Sequence, residues 1–128
     1  YRRICQAEDL DALRRVESDL ESAYGQLPRA AARLVRLSEI RLGAEALRVH
    51  AVTRHDDDII LKAENPGALE RAFDGAKGTL RMVGQPDTRG ITDVYYRPPR
   101  KYLKGDTLLN ILRKRLAPPA APTGGNDA

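Results

Sequence analysis

The sequence contains no tryptophan and only one phenylalanine, one methionine and one cysteine in 128 residues. Because Cys5 is the only cysteine, no internal disulfide can form. This favours a reducing, cytoplasmic setting, and we expect the thiol to be buried as a small apolar group. No stretch approaches the roughly 18 continuous apolar residues of a membrane span, so we expect no membrane partner. The chain begins at Tyr1 without methionine, and we expect it to be a segment of a longer protein.

Motifs for catalysis and metal binding are also missing. The chain has no serine-hydrolase elbow, nucleotide-binding loop, dinucleotide fingerprint or paired Cys-x-x-Cys. His50 and His55 have no cysteine or histidine partners at zinc-ligand spacing. Asp56, Asp57 and Asp58 are adjacent, without the alternating ligands and glycine of a calcium loop. We therefore predict a domain that is not an enzyme and that needs neither a cofactor nor a metal ion.

Charged residues of both signs are abundant. There are 22 lysines and arginines against 18 aspartates and glutamates, and apolar residues make up 41% of the chain. This composition predicts an aliphatic core inside a charged surface. The length suits one domain, which we assign to residues 1–116. We expect the remaining segment APPAAPTGGNDA, residues 117–128, to be disordered because it has little to bury.

Apolar periodicity in the first half predicts two helices joined by a tight turn. Residues at steps of three and four form one apolar face of a helix from about residue 10 to 24: Leu10, Leu13, Val16, Leu20 and Tyr24. Gly25 fits just past its end, and Pro28 fits the first position of the next helix, which runs to about Leu47. That second helix has an apolar strip wide enough for two partners, containing Leu34, Leu37, Ile40, Ala44 and Leu47. The sequence therefore predicts a helical hairpin whose elbow serves capping and packing.

The second half predicts strands and two shorter helices. The stretches VHAVT and IILKA flank a polar turn, and residues 79–83 and 91–97 read as two further strands. Asn65 and Pro66 begin a short helix, and Asp106 caps a last helix that carries Leu108 and Leu112. We predict an α+β fold in the order ααββαββα, with the helical hairpin packed on a small, mostly antiparallel sheet.

Basic residues suggest two possible phosphate contacts. Arg29, Arg33 and Arg36 form a basic stripe, which we interpret as a solvated helix face. The candidates for a nucleic-acid site between residues 97 and 115 are Arg97, Arg100, Lys101, Tyr102, Lys104, Arg113, Lys114 and Arg115. Basic groups can neutralise phosphates while tyrosines such as Tyr95 and Tyr96 stack on bases. The alternative, which we favour, is that the tyrosines pack in the core and the basic groups solvate the surface.

The opening YRRI and the stretches LDALRRVESDLESAYGQLP and LVRLSEIRLGAEALRV resemble the carboxy-terminal domain of the bacterial transcription-repair coupling factor. That family has tyrosine, lysine or arginine, then arginine, followed by acid-Leu-x-Asp-Arg-Phe-Gly-x-Leu-Pro and by paired leucines leading to Leu-Gly-Ile. The matching positions are Tyr1, Arg3, Leu13, Asp19, Leu20, Gly25, Leu27, Pro28, Leu34, Leu37 and Leu47. The departures are Ser22 for aspartate, Ala23 for arginine, Tyr24 for phenylalanine and Arg48 for the glycine. The match is specific over about the first half and sparse to about residue 116.

The resemblance implies a parent protein that recognises stalled RNA polymerase, translocates on DNA with ATP and recruits the damage-recognition ATPase of excision repair. It implies that this domain docks on an amino-terminal module of the same parent chain and hides the recruitment surface until polymerase is engaged. The docking contact carries over to Asp19, which would face arginines of that module, while Ser22 replaces a second acid. Alternatively, Asp19 pairs only with Arg15 one turn earlier. A basic DNA-binding module formed by residues 97–115 is the alternative function.

Overall fold

The structure, a computed structural model, describes residues 2–116, so the predicted disordered tail lies outside the described residues. Its helices and strands follow one another as α1 (Arg2–Gln6), α2 (Leu10–Tyr24), α3 (Arg29–Ala46), β1 (Val49–His55), β2 (Asp58–Ala63), α4 (Pro66–Ala72), β3 (Thr79–Val83), β4 (Thr92–Arg97), a 3-10 helix (Arg100–Tyr102) and α5 (Gly105–Leu116). The predicted α+β fold is confirmed. The short helix α1 and the 3-10 helix are additions to the predicted order.

The ends of α2 follow from its terminal residues. The Asp9 carboxylate accepts a hydrogen bond from the Ala12 backbone N–H at 2.7 Å, which satisfies one of the free donors at the helix start. Gly25 adopts a positive φ of 80° and donates its backbone N–H to the Glu21 carbonyl. The chain can therefore turn sharply before α3 begins, as predicted for the elbow.

The four strands form one antiparallel sheet in the order β1-β2-β4-β3. Val52 pairs with Leu61, and Leu61 with Val94, so these three side chains share one face. Helices α3, α4 and α5 cover this face. The buried apolar residues of these helices and of the strands form what we call the sheet cluster: Ile40, Ala44, Val49, Ile59, Leu61, Ala63, Leu69, Phe73, Val94, Tyr96, Leu108, Leu112 and Leu116. The opposite face carries polar side chains such as Lys62 and Asp93, which form an ion pair at 3.0 Å.

Helix α3 lies between two apolar clusters. On the side away from the sheet it packs with α1 and α2 in what we call the helical cluster: Ile4, Ala7, Leu13, Val16, Ala31, Val35 and Leu42. The hairpin therefore meets the sheet through α3, while α2 lies behind it. The expectation that the wide apolar strip of α3 serves two partners is confirmed.

Helix α1 is fixed to α3 by buried contacts that the sequence pattern did not indicate. Ile4 is completely buried, and its carbonyl accepts a hydrogen bond from the Ser38 hydroxyl at 3.2 Å. Arg41 donates to the Ala7 carbonyl at 2.9 Å. Cys5, on the same short helix, is exposed, so the expectation of a buried thiol is wrong. Because α1 has a single buried stripe, its remaining residues face solvent.

The last helix starts two residues earlier than predicted. Asp106 lies inside the first turn of α5, which begins at Gly105, and therefore does not act as the N-cap.

Within residues 2–116, no helix is long and apolar enough to cross a membrane. The same part of the chain contains no group of three histidine, cysteine, aspartate or glutamate side chains placed to hold a metal ion.

Candidate functional site

Asp19 lies on the exposed side of α2 and pairs with helix α1. Its carboxylate accepts a hydrogen bond from Arg3 at 2.9 Å, and more than half of each side chain is exposed. Asp19 therefore pairs with Arg3 of another helix and not with Arg15, the alternative partner one turn earlier on α2. Arg15 and Ser22 are exposed and lie on the same side of α2, because positions four and three residues apart share a helix face. An ion pair this exposed is worth under about 1 kcal/mol, so Asp19 remains free to take another cation.

Tyr24 is the last residue on the apolar face of α2, and its side chain is exposed to solvent. Its ring belongs to the same predicted apolar face as Leu13 and Val16, which are buried, but it is 78% exposed. Arg3 of α1 forms its hydrogen bond with Asp19 of α2. Tyr24 lies five residues beyond Asp19 along the same helix. The apolar face of this helix therefore extends beyond the helical cluster to the elbow.

The exposed ring lines a pocket at the elbow. This elbow pocket has a volume of about 380 Å³ and is lined by Leu20, Tyr24, Leu27 and Pro28. All four side chains are apolar or aromatic. Exposed aromatic groups beside small apolar pockets are the kind of residue that contributes most to protein interfaces. The sequence contained a signal for this exposure. Gly25 ends the helix, so Tyr24 lies in its last turn.

Asp19 and Tyr24 are close enough to contact one partner. Five residue steps separate them, which is about 7.5 Å along the axis and about 140° around it, so a partner must curve around the helix end to contact both. An interface of standard size covers about 800 Å² on each partner, so it would contain both side chains if it were centred on the elbow. The end of the hairpin can thus offer an apolar anchor and a carboxylate to the same docking partner.

The basic residues between 97 and 115 do not form one surface. Arg97 makes two hydrogen bonds of 2.9 Å to the Asp58 carboxylate. Arg113 donates to Glu39 at 2.5 Å, and Arg115 donates to the Asp74 carbonyl at 2.6 Å. The structure places the other candidates on two elements: Arg100, Lys101 and Tyr102 on the 3-10 helix, Lys104 before α5 and Lys114 within it. Several of these cations are thus occupied by groups of the chain itself.

The tyrosines near this segment have different roles. Tyr96 is buried, its hydroxyl donates to the Lys77 carbonyl at 2.7 Å, and its ring centre lies 4.7 Å from that of Phe73. Burial raises the pKa of the Tyr96 phenol, because the charged form would lose its hydration. Tyr95 lies on the open face of the sheet with the Arg81 guanidinium 5.4 Å from its ring centre. Tyr96 therefore belongs to the core, as the favoured interpretation predicts, and only Tyr95 and Tyr102 remain accessible.

The basic stripe of α3 surrounds one carboxylate. Arg29, Arg33 and Arg36 lie 3.8, 3.7 and 3.7 Å from the Asp106 oxygens. Three cations and one anion leave an excess of positive charge beside the start of α5. Gly105 allows this arrangement, since a Cβ there would lie only 2.8 Å from the Arg33 guanidinium.

Glu39 is a buried charge that connects three helices. It is 3% exposed and accepts hydrogen bonds from Arg14 of α2 and Arg113 of α5, the latter at 2.5 Å. Arg14 also binds Glu17 at 2.8 Å. Sequence reasoning missed Glu39 because a single glutamate on a charged helix has the same pattern as a solvated one. Its position indicates a structural role, because both guanidiniums come from the chain itself.

In the sheet, Asp58 forms an ion pair with Arg97. Hydrogen bonds from Arg97 hold the pKa of its carboxyl below the ordinary value, and Arg81 adds a weaker attraction at 3.9 Å. Asp58 therefore helps to fix the start of β2 against β4, and its neighbours Asp56 and Asp57 remain in the turn.

Comparisons with known proteins identify the family of this fold. A family model described as TRCF domain matches residues 1–72, which is more than half of the chain. The crystal structure of the C-terminal domain of transcription-repair coupling factor is similar in fold, with a TM-score of 0.71 and 16% sequence identity. The similar region covers 91% of this chain and 73% of that one. No curated protein matches the chain.

Proposed function

Because the chain belongs to the TRCF domain family, we propose that it is a non-catalytic docking domain at the carboxy-terminal end of a transcription-repair coupling factor. In this proposal it docks on an amino-terminal module of its own parent chain and keeps the parent autoinhibited. Docking masks the surface that recruits the damage-recognition ATPase of excision repair. Engagement of stalled RNA polymerase on DNA releases the domain and exposes that surface.

The exposure of Tyr24 is the observation that carries this proposal. An aromatic ring that continues a buried apolar face into solvent is unfavourable in an isolated domain, since the ring gains nothing from packing. A partner that covers the elbow pocket would bury Tyr24 together with Leu20 and Leu27. Fully burying one large apolar side chain stabilises a complex by about 1.5–3 kcal/mol.

Asp19 adds specificity to this contact. Its pair with Arg3 is exposed and weak, so an arginine of the partner can join or replace Arg3 without a large loss. In a desolvated interface, truncating one member of a hydrogen-bonded charge pair costs about 2–5 kcal/mol. Ser22, three residues further, provides a hydroxyl where the family has an acid, so we expect it to contribute less than Asp19.

The alternative function, DNA binding through residues 97–115, has less support. Arg97 and Arg113 are held by carboxylates of the chain, and the remaining basic groups lie on separate elements. Titration of the chain with labelled duplex and single-stranded DNA at about 0.15 M salt tests it, because screening leaves only substantial phosphate contact. Binding near about 1 µM that weakens steeply with salt would favour this alternative.

The docking proposal can be tested by calorimetry. The chain is titrated with the separately expressed amino-terminal module of its parent protein. We expect Tyr24→Ala and Asp19→Ala each to weaken binding by about 2 kcal/mol, the size expected for interface anchors. Met82→Ala and Asp11→Ala are matched controls, since Met82 is an exposed apolar residue away from the elbow and Asp11 is an exposed acid on the same helix. Equal weakening by the controls, or no binding by the unmodified chain, would contradict the proposal.

Masking requires a second measurement in the full parent protein. Binding of the repair ATPase is compared between the unmodified parent and its Asp19→Ala variant in the absence of polymerase. We expect the variant to bind more ATPase while the melting temperature of the domain changes little, because Asp19 is exposed. ATPase binding that stays at the unmodified level would mean that Asp19 takes no part in masking.

A further inference from the structure

A long groove runs between α3 and the edge of the sheet, on the side of α3 that faces away from α2. It has a volume of about 630 Å³, within the range of sites that bind peptides and small molecules. One wall contains α3 residues on a single helix face: Arg33, Leu37, Ile40, Arg41, Ala44 and Glu45. The groove is separate from the elbow pocket, so an inference about it does not depend on the proposed function.

The opposite wall is the backbone of β1. Six consecutive residues, from Val49 to Arg54, line the groove. Successive side chains of a strand point to opposite faces, so a wall made of six consecutive residues must be the edge of the strand itself. Among the described strands, β1 pairs only with β2 and lies at one end of the sheet. Its outer backbone donors and acceptors therefore face the groove, where another strand can bind them.

The floor of the groove is apolar. It is formed mainly by Ile40, Leu108, Leu109 and Leu112. Leu37, which belongs to the predicted apolar strip of α3, projects at the rim and is 44% exposed. The groove thus combines an open strand edge with space for apolar side chains.

The two walls have the same length. Twelve residue steps of α3, from Arg33 to Glu45, span about 18 Å. Five steps of β1, from Val49 to Arg54, span about 17 Å. An extended segment of about five residues would fill this length, with side chains at alternate positions facing the floor.

Positive charge is concentrated at one end of the groove. Arg33 and Arg54 line this end, where Arg33 lies near Gly105 and 3.7 Å from the Asp106 carboxylate, and Arg54 donates to the Leu103 carbonyl at 3.1 Å. Arg54 also donates to the Asp56 carbonyl, and within residues 2–116 no carboxylate pairs with it. At the other end Glu45 lies 3.7 Å from Arg41, which also lines the groove and balances its charge. An occupant with an acidic residue at one end would therefore be bound in one direction.

We propose that this groove binds an extended segment of a partner protein, about five residues long, which adds to β1 as a further strand. Apolar side chains at alternate positions of the segment contact Leu37, Leu108 and Leu112. An acidic residue at one end of the segment binds Arg33 and Arg54. The mode is strand addition at a free sheet edge, in which main-chain hydrogen bonds give affinity and side-chain pockets give specificity.

A peptide-display selection tests the proposal with a defined probe. A library of random 12-residue peptides is selected on the chain and counter-selected on its Leu37→Asp variant. We expect enriched peptides to carry apolar residues at alternate positions, with aspartate or glutamate at one end. An enriched peptide with a fluorescent label should bind at least tenfold more weakly to Leu37→Asp and unchanged to Met82→Asp, the matched control at another exposed apolar position.

Two further variants separate charge and backbone contributions. Arg33→Glu should weaken binding of the same labelled peptide at least tenfold, whereas Arg29→Glu, four residues earlier on α3 and outside the groove, should change it less than twofold. Proline at a central position of the peptide should also weaken binding at least tenfold, because it removes a main-chain donor. Circular dichroism of each variant shows whether the fold is kept.

Several results would overturn the proposal. These are the absence of enriched peptides, equal binding to Leu37→Asp, and enriched peptides without acidic residues. Enriched peptides rich in proline and alanine would instead identify residues 117–128 of the chain itself as the occupant. A dimer in sedimentation equilibrium that Leu37→Asp dissociates would identify a second copy of the chain.

Discussion

The helical cluster and the sheet cluster differ in size and in where apolar surface next to them stays exposed. The sheet cluster has thirteen buried residues from α3, α4, α5 and three strands, and it includes the aromatic contact between Phe73 and Tyr96. The helical cluster has seven, all aliphatic, and its apolar face continues to the exposed Tyr24. The smaller cluster therefore adjoins the elbow residues proposed for docking, while the larger one forms the floor of the groove beside β1. Local stability is expected to follow the same division, since regions with few buried contacts open most readily.

The largest expected effects come from truncating one leucine in each cluster. Leu61 and Leu13 are both completely buried. We expect Leu61→Ala to lower the free energy of unfolding by about 3–5 kcal/mol and Leu13→Ala by about 2–3 kcal/mol, since the smaller cluster can relax around the cavity. Hydrogen exchange separates them: Leu13→Ala should reduce protection in α1 and α2 more than in β2 and β4. Equal loss of protection in both regions would mean that the two clusters unfold as one unit.

Glu39 of α3 binds arginines of α2 and α5, which pack in different clusters. Its loss should therefore have an intermediate effect. Glu39→Gln removes the charge that Arg14 of α2 and Arg113 of α5 share. We expect a loss of about 1–3 kcal/mol, less than for a fully buried pair, because both arginines are about half exposed and can regain water. Glu17→Gln is the control, since it affects only Arg14. A double-mutant cycle of Glu39→Gln with Arg113→Gln measures the link to α5, and additivity would contradict it.

Much of the fold followed from periodicity, and the exceptions have physical causes. The helix Leu10–Tyr24 and the strand Thr79–Val83 were predicted with the bounds that the structure has, because spacing and turn residues are local signals. Tyr24 and Leu37 belong to the same apolar patterns but project into solvent, since periodicity does not show where a neighbouring element ends. Ile4 was not placed in the core because a five-residue helix has too few positions to show a period.

The candidate site could be predicted only in part. Asp19 was identified through the resemblance, but its partner Arg3 could not be, because the pair joins separate helices. Glu39 depends on two arginines that lie 25 and 74 residues away in sequence. The groove beside β1 required the strand order, which the sequence pattern left open. Long-range pairing is therefore what the structure adds.

Acid should weaken the sheet cluster through Asp58. The pKa of this carboxyl is lowered in the folded state, so its contribution to stability is present above the ordinary aspartate value of about 3.9 and is lost as the pH falls through the lowered pKa. We expect urea midpoints measured between about pH 2 and 6 to depend less on pH in Asp58→Asn. Asp11→Asn, at an exposed acid of α2 outside the sheet, is the control. An unchanged profile in Asp58→Asn would show that other acids dominate.

The smallest expected effect lies at the turn that joins the two regions. Arg48 connects α3 to β1 with a φ of 59°, in the left-handed region, at the position where the family pattern has glycine. A residue with a Cβ loses about 1–2 kcal/mol there, and glycine avoids this strain but has more freedom to lose on folding. We therefore expect Arg48→Gly to raise the free energy of unfolding by about 0.5–1 kcal/mol, because the backbone hydrogen bonds of Arg48 to Glu45 and Glu64 are retained.

Asp56→Gly, at a φ of 55° in the β1–β2 turn, should raise the free energy of unfolding less, since aspartate tolerates this conformation. Chemical denaturation of both variants gives the comparison, and a loss of stability in Arg48→Gly would mean that the arginine side chain makes a contact that outweighs the backbone strain.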